Sequence, residues 1–263
     1  MILVRLLLVT AHCLLFVARV EAQQAPLEAD RPDQTETPAI VPTGWYQFEG
    51  GYAREWSGHG SAFAETAPTV LSKLGLARWA ELRLITEWTA LHPMVSNESA
   101  GSGVLPVEVG AKFRLLEERG LRPCISLLGH VGLPFLSSNA FRTRSTFGNF
   151  RFTLQHTLSD RFSLGYNLGA EWDGYRSTAS GVYTLTVASQ ATTKLSVFVE
   201  AYGFVNDMDA ADHRLDGGLT LRIGPDVLLD TSSGFSLGER CWFVSLGLSF
   251  RVPVFVRRTV ASG

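Results

Sequence analysis

The sequence predicts an all-β fold, a transmembrane antiparallel up-and-down β-barrel of about twelve strands. Three observations lead to this prediction. Segments mostly ten to thirteen residues long alternate apolar and polar side chains, short and long connections alternate between them, and all six tryptophans fall near segment ends. Globular strands run about five or six residues, whereas a tilted membrane-spanning strand needs about nine to eleven. The segment lengths therefore favour a membrane barrel over a soluble sandwich.

The first 22 residues are typical of a secretory signal peptide. Arg5 gives a weakly positive start, residues 6–17 are apolar, and Val-Glu-Ala at 20–22 is a small-x-small cleavage pattern. We expect cleavage after Ala22, so that the domain 1–22 is removed on export. No later stretch contains about 18 consecutive apolar residues. Any membrane crossing by the mature chain is therefore expected to use strands.

Residues 23–43 contain four prolines and no periodicity, which predicts an irregular periplasmic N-terminal segment. One hypothesis is that DRPDQTETP, 30–38, enters the periplasmic mouth and pairs its charges with the lumen as a partial plug. The alternative, a solvated linker on the export side, is about equally well supported. The candidate plug residues are Asp30, Arg31, Asp33 and Glu36.

Residues 44–252 are predicted to form the barrel, and 253–263 a short C-terminal tail. Short connections such as 117–120 alternate with longer ones such as 135–146, as in barrels with turns on the periplasmic side and loops outside. The last loop, 237–241, is short and departs from this order. The expected strands are 45–56, 67–76, 80–90, 104–115, 122–134, 147–158, 162–173, 181–191, 195–205, 214–223, 227–236 and 242–252.

Alternation within each strand assigns one face to lipid. In residues 162–173 the even positions carry Phe, Leu, Tyr, Leu, Ala and Trp, and the odd positions carry Ser, Gly, Asn, Gly, Glu and Asp. Successive side chains point to opposite faces of a strand, so the second set is expected to face a crowded, enclosed lumen. Trp56, Trp88, Trp172 and Trp242 share the outward parity, as an interfacial aromatic belt requires.

The inward parity places charged side chains of both signs in the lumen. Opposite charges in an enclosed space usually pair, because an unpaired desolvated charge costs several kcal/mol. We interpret these charges mainly as a structural network that fills a narrow barrel. A second hypothesis is that some of them line a polar path for a solute. The candidate lumen-lining residues are Glu49, Glu81, Arg83, Glu87, Glu108, Lys112, Arg114, Arg151, Glu171, Asp173, Glu200, Asp216, Arg222, Asp230 and Arg251.

A barrel hydrolase is the least supported functional class. It requires a serine and a histidine within hydrogen-bond reach. Ser126 lies on the same inward face as His130 without a visible oxyanion arrangement, and His156 faces outward with no serine beside it. The histidines expected in outer loops are His59, His92 and His213. We predict no catalytic residue, no metal site and no cofactor, and the net charge of −2 argues against nucleic acid as a partner.

The two cysteines of the mature chain are expected at opposite sides of the membrane. Cys124 begins a strand on the periplasmic side, and Cys241 lies at the outer rim. Their separation should be on the order of 25 Å, the height of the apolar band of such barrels. A disulfide requires Cα atoms within about 7 Å, so none is expected.

The stretch ADRPDQTETPAIVPTGWYQFEGGY, 29–52, resembles the opening of a protein family called Putative MetA-pathway of phenol degradation. Further stretches that fit the pattern of this family are LARWAELRLITEW (76–88), NLGAEWDG (167–174), VFVEAYGF (197–204), LDGGLTLRIGPDVLLDTSSGFSL (215–237) and FVSLGLSFR (243–251). The resemblance spans nearly the whole mature chain and implies an outer-membrane β-barrel with a transport-like role. It implies no substrate, and the phenol in the family name is no evidence for one.

Together, these patterns predict a protein of the outer membrane of a Gram-negative-type cell that passes a small solute passively, hydrophobic and aromatic solutes included. The alternative is a sealed structural or adhesive barrel that acts through its outer loops. The expected partners are outer-membrane lipid, the barrel-assembly machinery and an unidentified small solute. The machinery reads a terminal aromatic residue, for which Phe250 and Phe255 are candidates although VRRTVASG follows.

Overall fold

The computed structural model describes residues 25–57, 62–93, 101–206, 211–238 and 240–254. The signal segment 1–22, His59 and Phe255 lie outside these ranges. Two single-turn 3-10 helices, Pro134–Leu136 and Asn139–Phe141, accompany the strands. The strands are β1 (Trp45–Ser57), β2 (Ala62–Ala77), β3 (Ala80–His92), β4 (Gly101–Val104), β5 (Val107–Leu116), β6 (Cys124–Leu133), β7 (Phe147–Thr157), β8 (Phe162–Trp172), β9 (Ser180–Gln190), β10 (Leu195–Val205), β11 (Ala211–Gly224), β12 (Val227–Ser236) and β13 (Trp242–Pro253).

The strands close into a single antiparallel barrel. Strand β1 pairs with β2 on one side and with β13 on the other, and apart from β4 and β5 each remaining strand pairs with its neighbours in chain order. Strands β4 and β5 both pair with β3, at its two ends. They form one stave interrupted at Pro106, because proline has no amide hydrogen for the ladder. Closure therefore involves twelve staves, and the predicted fold class is confirmed.

Two strands begin three or more residues before the start that their sequence pattern indicated. Strand β2 begins at Ala62 instead of residue 67, because the ladder shifts register between Thr66 and Thr69 and so continues past Pro68. A bulge of this kind lets a strand accommodate a proline without ending. Strand β11 begins at Ala211 instead of residue 214, since it pairs with β10 as far as Val205. Among the described residues there is no helix long and apolar enough to cross a membrane.

The two ends of the barrel differ. We call the end with the connections 78–79, 158–161, 191–194 and 225–226 the turn end, and the end with the connections 134–146 and 173–179 the loop end. Strand β1 begins and β13 ends at the turn end. Cys124 begins β6 at the turn end and Cys241 precedes β13 at the loop end, as the strand order predicts, and both thiols are free.

The barrel is apolar outside and charged inside. Exposed fractions of outward side chains reach 57% at Leu168, 66% at Val199 and 60% at Leu246, whereas Arg83 and Lys112 are among the largest fully buried side chains. A water-soluble protein shows the opposite arrangement. This distribution suits a wall surrounded by lipid and an enclosed polar lumen.

Tryptophans mark the loop end of the outer face. Trp56 and Trp242 are cross-strand partners whose rings stack with centroids 3.7 Å apart. Trp88 is 40% exposed, and Trp172, the last residue of β8, is 39% exposed. These four side chains have the outward orientation that their parity predicted. Indole rings at this level suit a membrane–water interface.

Candidate functional site

The barrel lumen is occupied by the chain's own residues 25–43, which we call the luminal segment. It contains no helix or strand. Hydrogen bonds reach it from all twelve staves. The wall residues that form these hydrogen bonds, one from each stave in chain order, are Gln47, Thr69, Arg83, Lys112, Ser126, Arg151, Asn167, Thr184, Glu200, Arg222, Asp230 and Arg251.

The luminal segment is re-entrant. Near one end, the Leu27 amide donates to the Pro225 carbonyl at 2.9 Å, and near the other, the Val41 amide donates to Glu81 Oε2 at 2.7 Å; both contacts lie at the turn end. Leu27 and Val41 are 0% and 4% exposed. Between them the chain rises into the lumen and returns, and Asp30 Oδ1 closes the loop by accepting from the amide and the hydroxyl of Thr37. Two apolar anchors therefore hold a polar loop.

Wall carboxylates and amides satisfy the backbone of the segment. Glu49 Oε2 accepts from the amides of Asp30 and Arg31 at 2.9 and 3.1 Å. Asn167 bonds both sides of Glu36, accepting from its amide at 2.8 Å and donating to its carbonyl at 3.0 Å. Buried backbone groups need such partners, and an irregular segment has no ladder to supply them. Many inward polar positions of the wall thus have a structural use.

A further contact of this kind lies midway between the two anchors of the loop. The Gln34 amide donates to Glu200 Oε2 at 2.7 Å. The Thr35 hydroxyl contacts both the Glu200 carboxylate and the Thr184 hydroxyl, the latter at 2.6 Å. Thr35 is 3% exposed. Strands β9 and β10 therefore fix the tip of the segment against one side of the wall.

Three wall cations converge on a single carboxylate of the segment. Asp30 Oδ2 accepts from Lys73 Nζ and Arg83 Nη1, each at 2.8 Å, and Lys112 Nζ lies 3.0 Å from both carboxylate oxygens. All four side chains are at most 3% exposed. Charge-assisted hydrogen bonds of this geometry are about twice as strong as neutral ones.

Three further carboxylates surround the cations. Glu36, on the luminal segment, accepts from Arg83 Nη2 at 2.9 and 2.7 Å, and Glu81 accepts from Arg83 Nη1 at 3.0 Å. Glu49 pairs with Lys73. We call these seven residues the Asp30 cluster: Asp30, Glu36, Glu49, Lys73, Glu81, Arg83 and Lys112.

The other two candidate plug residues, Arg31 and Asp33, differ in their contacts with the wall. Arg31 donates to Thr69 Oγ1 at 3.2 Å, to Asp230 Oδ1 at 3.2 Å and to the Leu246 carbonyl at 3.3 Å. Asp33 forms no ion pair with another described residue. Three of the four charges in DRPDQTETP thus meet wall charges, and the fourth does not.

The remaining candidate lumen residues fall on two sides of the segment. On the loop side, Glu87, Glu108, Glu171 and Arg151 line a cavity of about 390 Å³, which we call the loop-side cavity; Arg151 Nη2 lies 3.7 Å from Glu171 Oε2. Turn-end contacts come from arginines that donate to segment carbonyls. They are Arg114 to Pro38, Arg222 to Leu27 and Arg251 to Ala25.

Three acidic candidates require separate description. Glu200 and Asp216 are direct cross-strand neighbours on β10 and β11. Asp173 lies one residue beyond β8, is exposed and accepts from the amides of Arg176 and Tyr175, which lower the pKa of its carboxyl. Its parity pointed inward, but the strand ends at Trp172, so Asp173 belongs to the loop and not to the wall.

Sequence reasoning missed Lys73, a central member of the Asp30 cluster. Its strand, β2, has a less regular alternation because of the bulge near Pro68. The available signal was a single lysine within an otherwise apolar stretch, TVLSKLGLA, 69–77. A lone charge in a membrane strand is expected to face the lumen and to have a partner there.

The described residues contain no serine–histidine contact. His130 Nε2 accepts from Arg83 Nε at 3.0 Å, and its Nδ1 lies 3.0 Å from Asn149 Oδ1. Ser126 donates instead to the Pro38 carbonyl at 2.7 Å, and His156 contacts Tyr166 at 3.3 Å. In the same ranges, no three His, Cys, Asp or Glu side chains converge as metal ligands would.

The segment also packs closely against the wall where it leaves the lumen. A Cβ atom at Gly75 would lie 2.2 Å from the Pro42 carbonyl oxygen and 2.3 Å from that of Val41. We expect Gly75→Ala to lower the free energy of unfolding by about 1–3 kcal/mol, because only backbone atoms could move away. Urea titration in lipid vesicles would measure it. Gly224→Ala is the control, since a Cβ atom there meets nothing within 4 Å; equal stability of the two variants would contradict the prediction.

Comparison with known proteins gives one family and several structures. A model of the family described as Putative MetA-pathway of phenol degradation matches residues 29–252. The COG4313 outer membrane channel from Pseudomonas putida F1 superimposes with a TM-score of 0.62 at 13% identity, covering 86% of this chain and 100% of that one. No curated protein matches the sequence.

Two porins share the same architecture. The KdgM porin superimposes with a TM-score of 0.52 at 11% identity, over 77% of this chain and 98% of its own. The NanC porin gives a TM-score of 0.51 at 12% identity, over 79% of this chain and 100% of its own. At these identities the comparisons establish a common fold.

Proposed function

The chain belongs to the Putative MetA-pathway of phenol degradation family, and on this premise we propose that it is an outer-membrane channel closed at rest by its luminal segment. In this proposal a small solute, hydrophobic or aromatic ones included, passes without a cofactor or an energy source. The export signal in residues 1–22 and the barrel-assembly machinery would deliver the chain to the membrane. The named functions of the COG4313 channel and of the KdgM and NanC porins support this class.

The observation that carries the proposal is the polar attachment of the segment to every stave. The interior of an outer-membrane barrel is polar whether it is open or plugged, so the attachment of the segment decides whether it can move. Between Leu27 and Val41 the segment is held by hydrogen bonds and ion pairs, whose groups water can solvate when the loop moves. Its two apolar anchors remain at the turn end. The polar loop can therefore leave the lumen while both of its ends stay attached.

Cavities on both sides of the segment support a channel. The loop-side cavity is lined by Arg31, Asp33 and Gln34 of the segment. A cavity of about 250 Å³ at the turn end is lined by Pro26, Glu28 and other segment residues. Movement of the polar loop would join the two spaces.

Locking the segment to the wall tests the proposal. The Thr35 and Thr184 hydroxyl oxygens lie 2.6 Å apart, so the pair Thr35→Cys/Thr184→Cys can form a disulfide after Cys124→Ser and Cys241→Ser remove the native thiols. A disulfide contributes about 2–4 kcal/mol, so the open population should fall by about 30-fold or more. Planar-bilayer current, before and after reduction by dithiothreitol, measures this change.

The single variant Thr35→Cys in the same thiol-free background is the matched control and should not respond to the reductant. Equal currents in the oxidised and reduced double variant would show that the segment is not the gate. If liposomes that contain the oxidised or the reduced double variant both admit no solute, the result would favour the sealed structural or adhesive barrel. Deletion of residues 23–40 offers a second test, because an unplugged lumen should conduct more.

A further inference from the structure

We propose that Lys73, Arg83 and Lys112 form a carboxylate-binding site of the barrel wall, which Asp30 occupies in the closed state. A solute that carries a carboxylate competes with Asp30 for this site and so favours withdrawal of the luminal segment. The competition rests on the proposed function, whereas the binding site itself does not.

The three cations belong to the wall, and two of them, Lys73 and Arg83, have close wall partners besides Asp30; Lys112 lies 4.0 Å from the wall carboxylate of Glu81. The cations lie on β2, β3 and β5, three consecutive staves of the barrel. Lys73 pairs with Glu49 of β1, and Arg83 is fixed by Glu81 and by His130. Two of the three cations are therefore preorganised by the wall, which lowers the cost of binding. The carboxylate that fills it comes from a segment without secondary structure.

The charge balance selects a monoanion. The wall part of the Asp30 cluster has three cations, Lys73, Arg83 and Lys112, and two carboxylates, Glu49 and Glu81. It therefore carries one net positive charge when Asp30 and Glu36 leave with the segment. An uncompensated buried charge costs several kcal/mol. A single carboxylate neutralises the wall and reproduces the contacts of Asp30, so a monocarboxylate is the smallest anion that meets both conditions.

The carboxylates that cover the cations face the loop side. Asp30 and Glu49 line the loop-side cavity together with the apolar residues Leu71, Ile85 and Leu128, whereas Lys73 lines the turn-end cavity. In the proposal, an incoming carboxylate reaches the cations as it displaces Asp30, while its apolar body rests on these side chains. The chemical class that fits is a small monocarboxylic acid with an apolar body.

Chemical rescue tests the binding site. Asp30→Ala removes the carboxylate and leaves a space in which acetate fits. We expect acetate to raise the thermal unfolding temperature of this variant with saturation, and acetamide or chloride at equal ionic strength to have no such effect. Asp30→Asn is the matched control, because it loses the charge but fills the space, and it should not respond. Acetate no more effective than acetamide on Asp30→Ala would overturn the site.

Channel recordings test the competition, and their first comparison uses the unaltered chain. Benzoate should raise the open probability with saturation, whereas benzamide, of equal shape and without charge, should not. Lys112→Gln should lower the response to benzoate at least about tenfold, the loss of roughly 1.4 kcal/mol of binding. Equal effects of benzoate and benzamide would overturn the competition.

The disulfide lock separates the two proposals. If locking abolishes the current while acetate and benzoate have no specific effect, the carboxylate site is refuted and the gate stands. If locking leaves the current unchanged, the gate is refuted and with it the competition, and acetate rescue of Asp30→Ala still decides whether the binding site exists.

Discussion

Arg83→Met is expected to lower the free energy of unfolding by about 3–5 kcal/mol, the cost of breaking a buried ion cluster by removing one partner. The Arg83 guanidinium donates to Asp30, Glu36, Glu81 and His130. Methionine is of similar length but leaves these groups without their shared donor. Equilibrium unfolding in urea, with the protein in lipid vesicles, would measure the loss.

Arg119→Met is the matched control, because Arg119 lies in the exposed turn between β5 and β6; it should change stability by less than about 0.5 kcal/mol. A double variant with Asp30→Asn should lose less than the sum of the two single losses, since the residues are in direct contact. If Arg83→Met were as stable as the control, the Asp30 cluster would not hold the segment.

Leu168→Arg is expected to cost about 2–4 kcal/mol, the penalty for a cation on the lipid face near the bilayer midplane. Leu168 lies at the middle of β8 and is 57% exposed on the outer face. In water, an arginine at such an exposed position would be tolerated. The measurement is again urea unfolding in lipid vesicles.

Leu168→Ala separates charge from packing at the same position and should lose less. If both variants were equally stable, or if the mature protein stayed folded and monomeric in buffer without detergent, the outer face would not contact lipid. The barrel would then have to be a water-soluble one, and the proposed channel would fail with it.

The barrel itself was largely predictable from local patterns. Alternation of side chains indicated twelve segments, which correspond to β1–β3 and β5–β13; β4, Gly101–Val104, was missed, because it lies almost entirely before the predicted start at residue 104. The start of β2 was wrong by five residues, because the bulge near Pro68 depends on pairing with β1 and β3. Family membership was predicted from the stretch 29–52 and is confirmed.

The sequence by itself determined which faces meet lipid and lumen, since side-chain orientation in a strand follows a period of two residues. Only the tertiary structure decided what the charges do. Arg31 meets Asp230 across 199 positions of sequence, and Asp30 meets Lys112 across 82. Ion pairs of about 3 Å depend on closure and register, which a local pattern does not encode. The same closure created the enclosed space that residues 25–43 occupy.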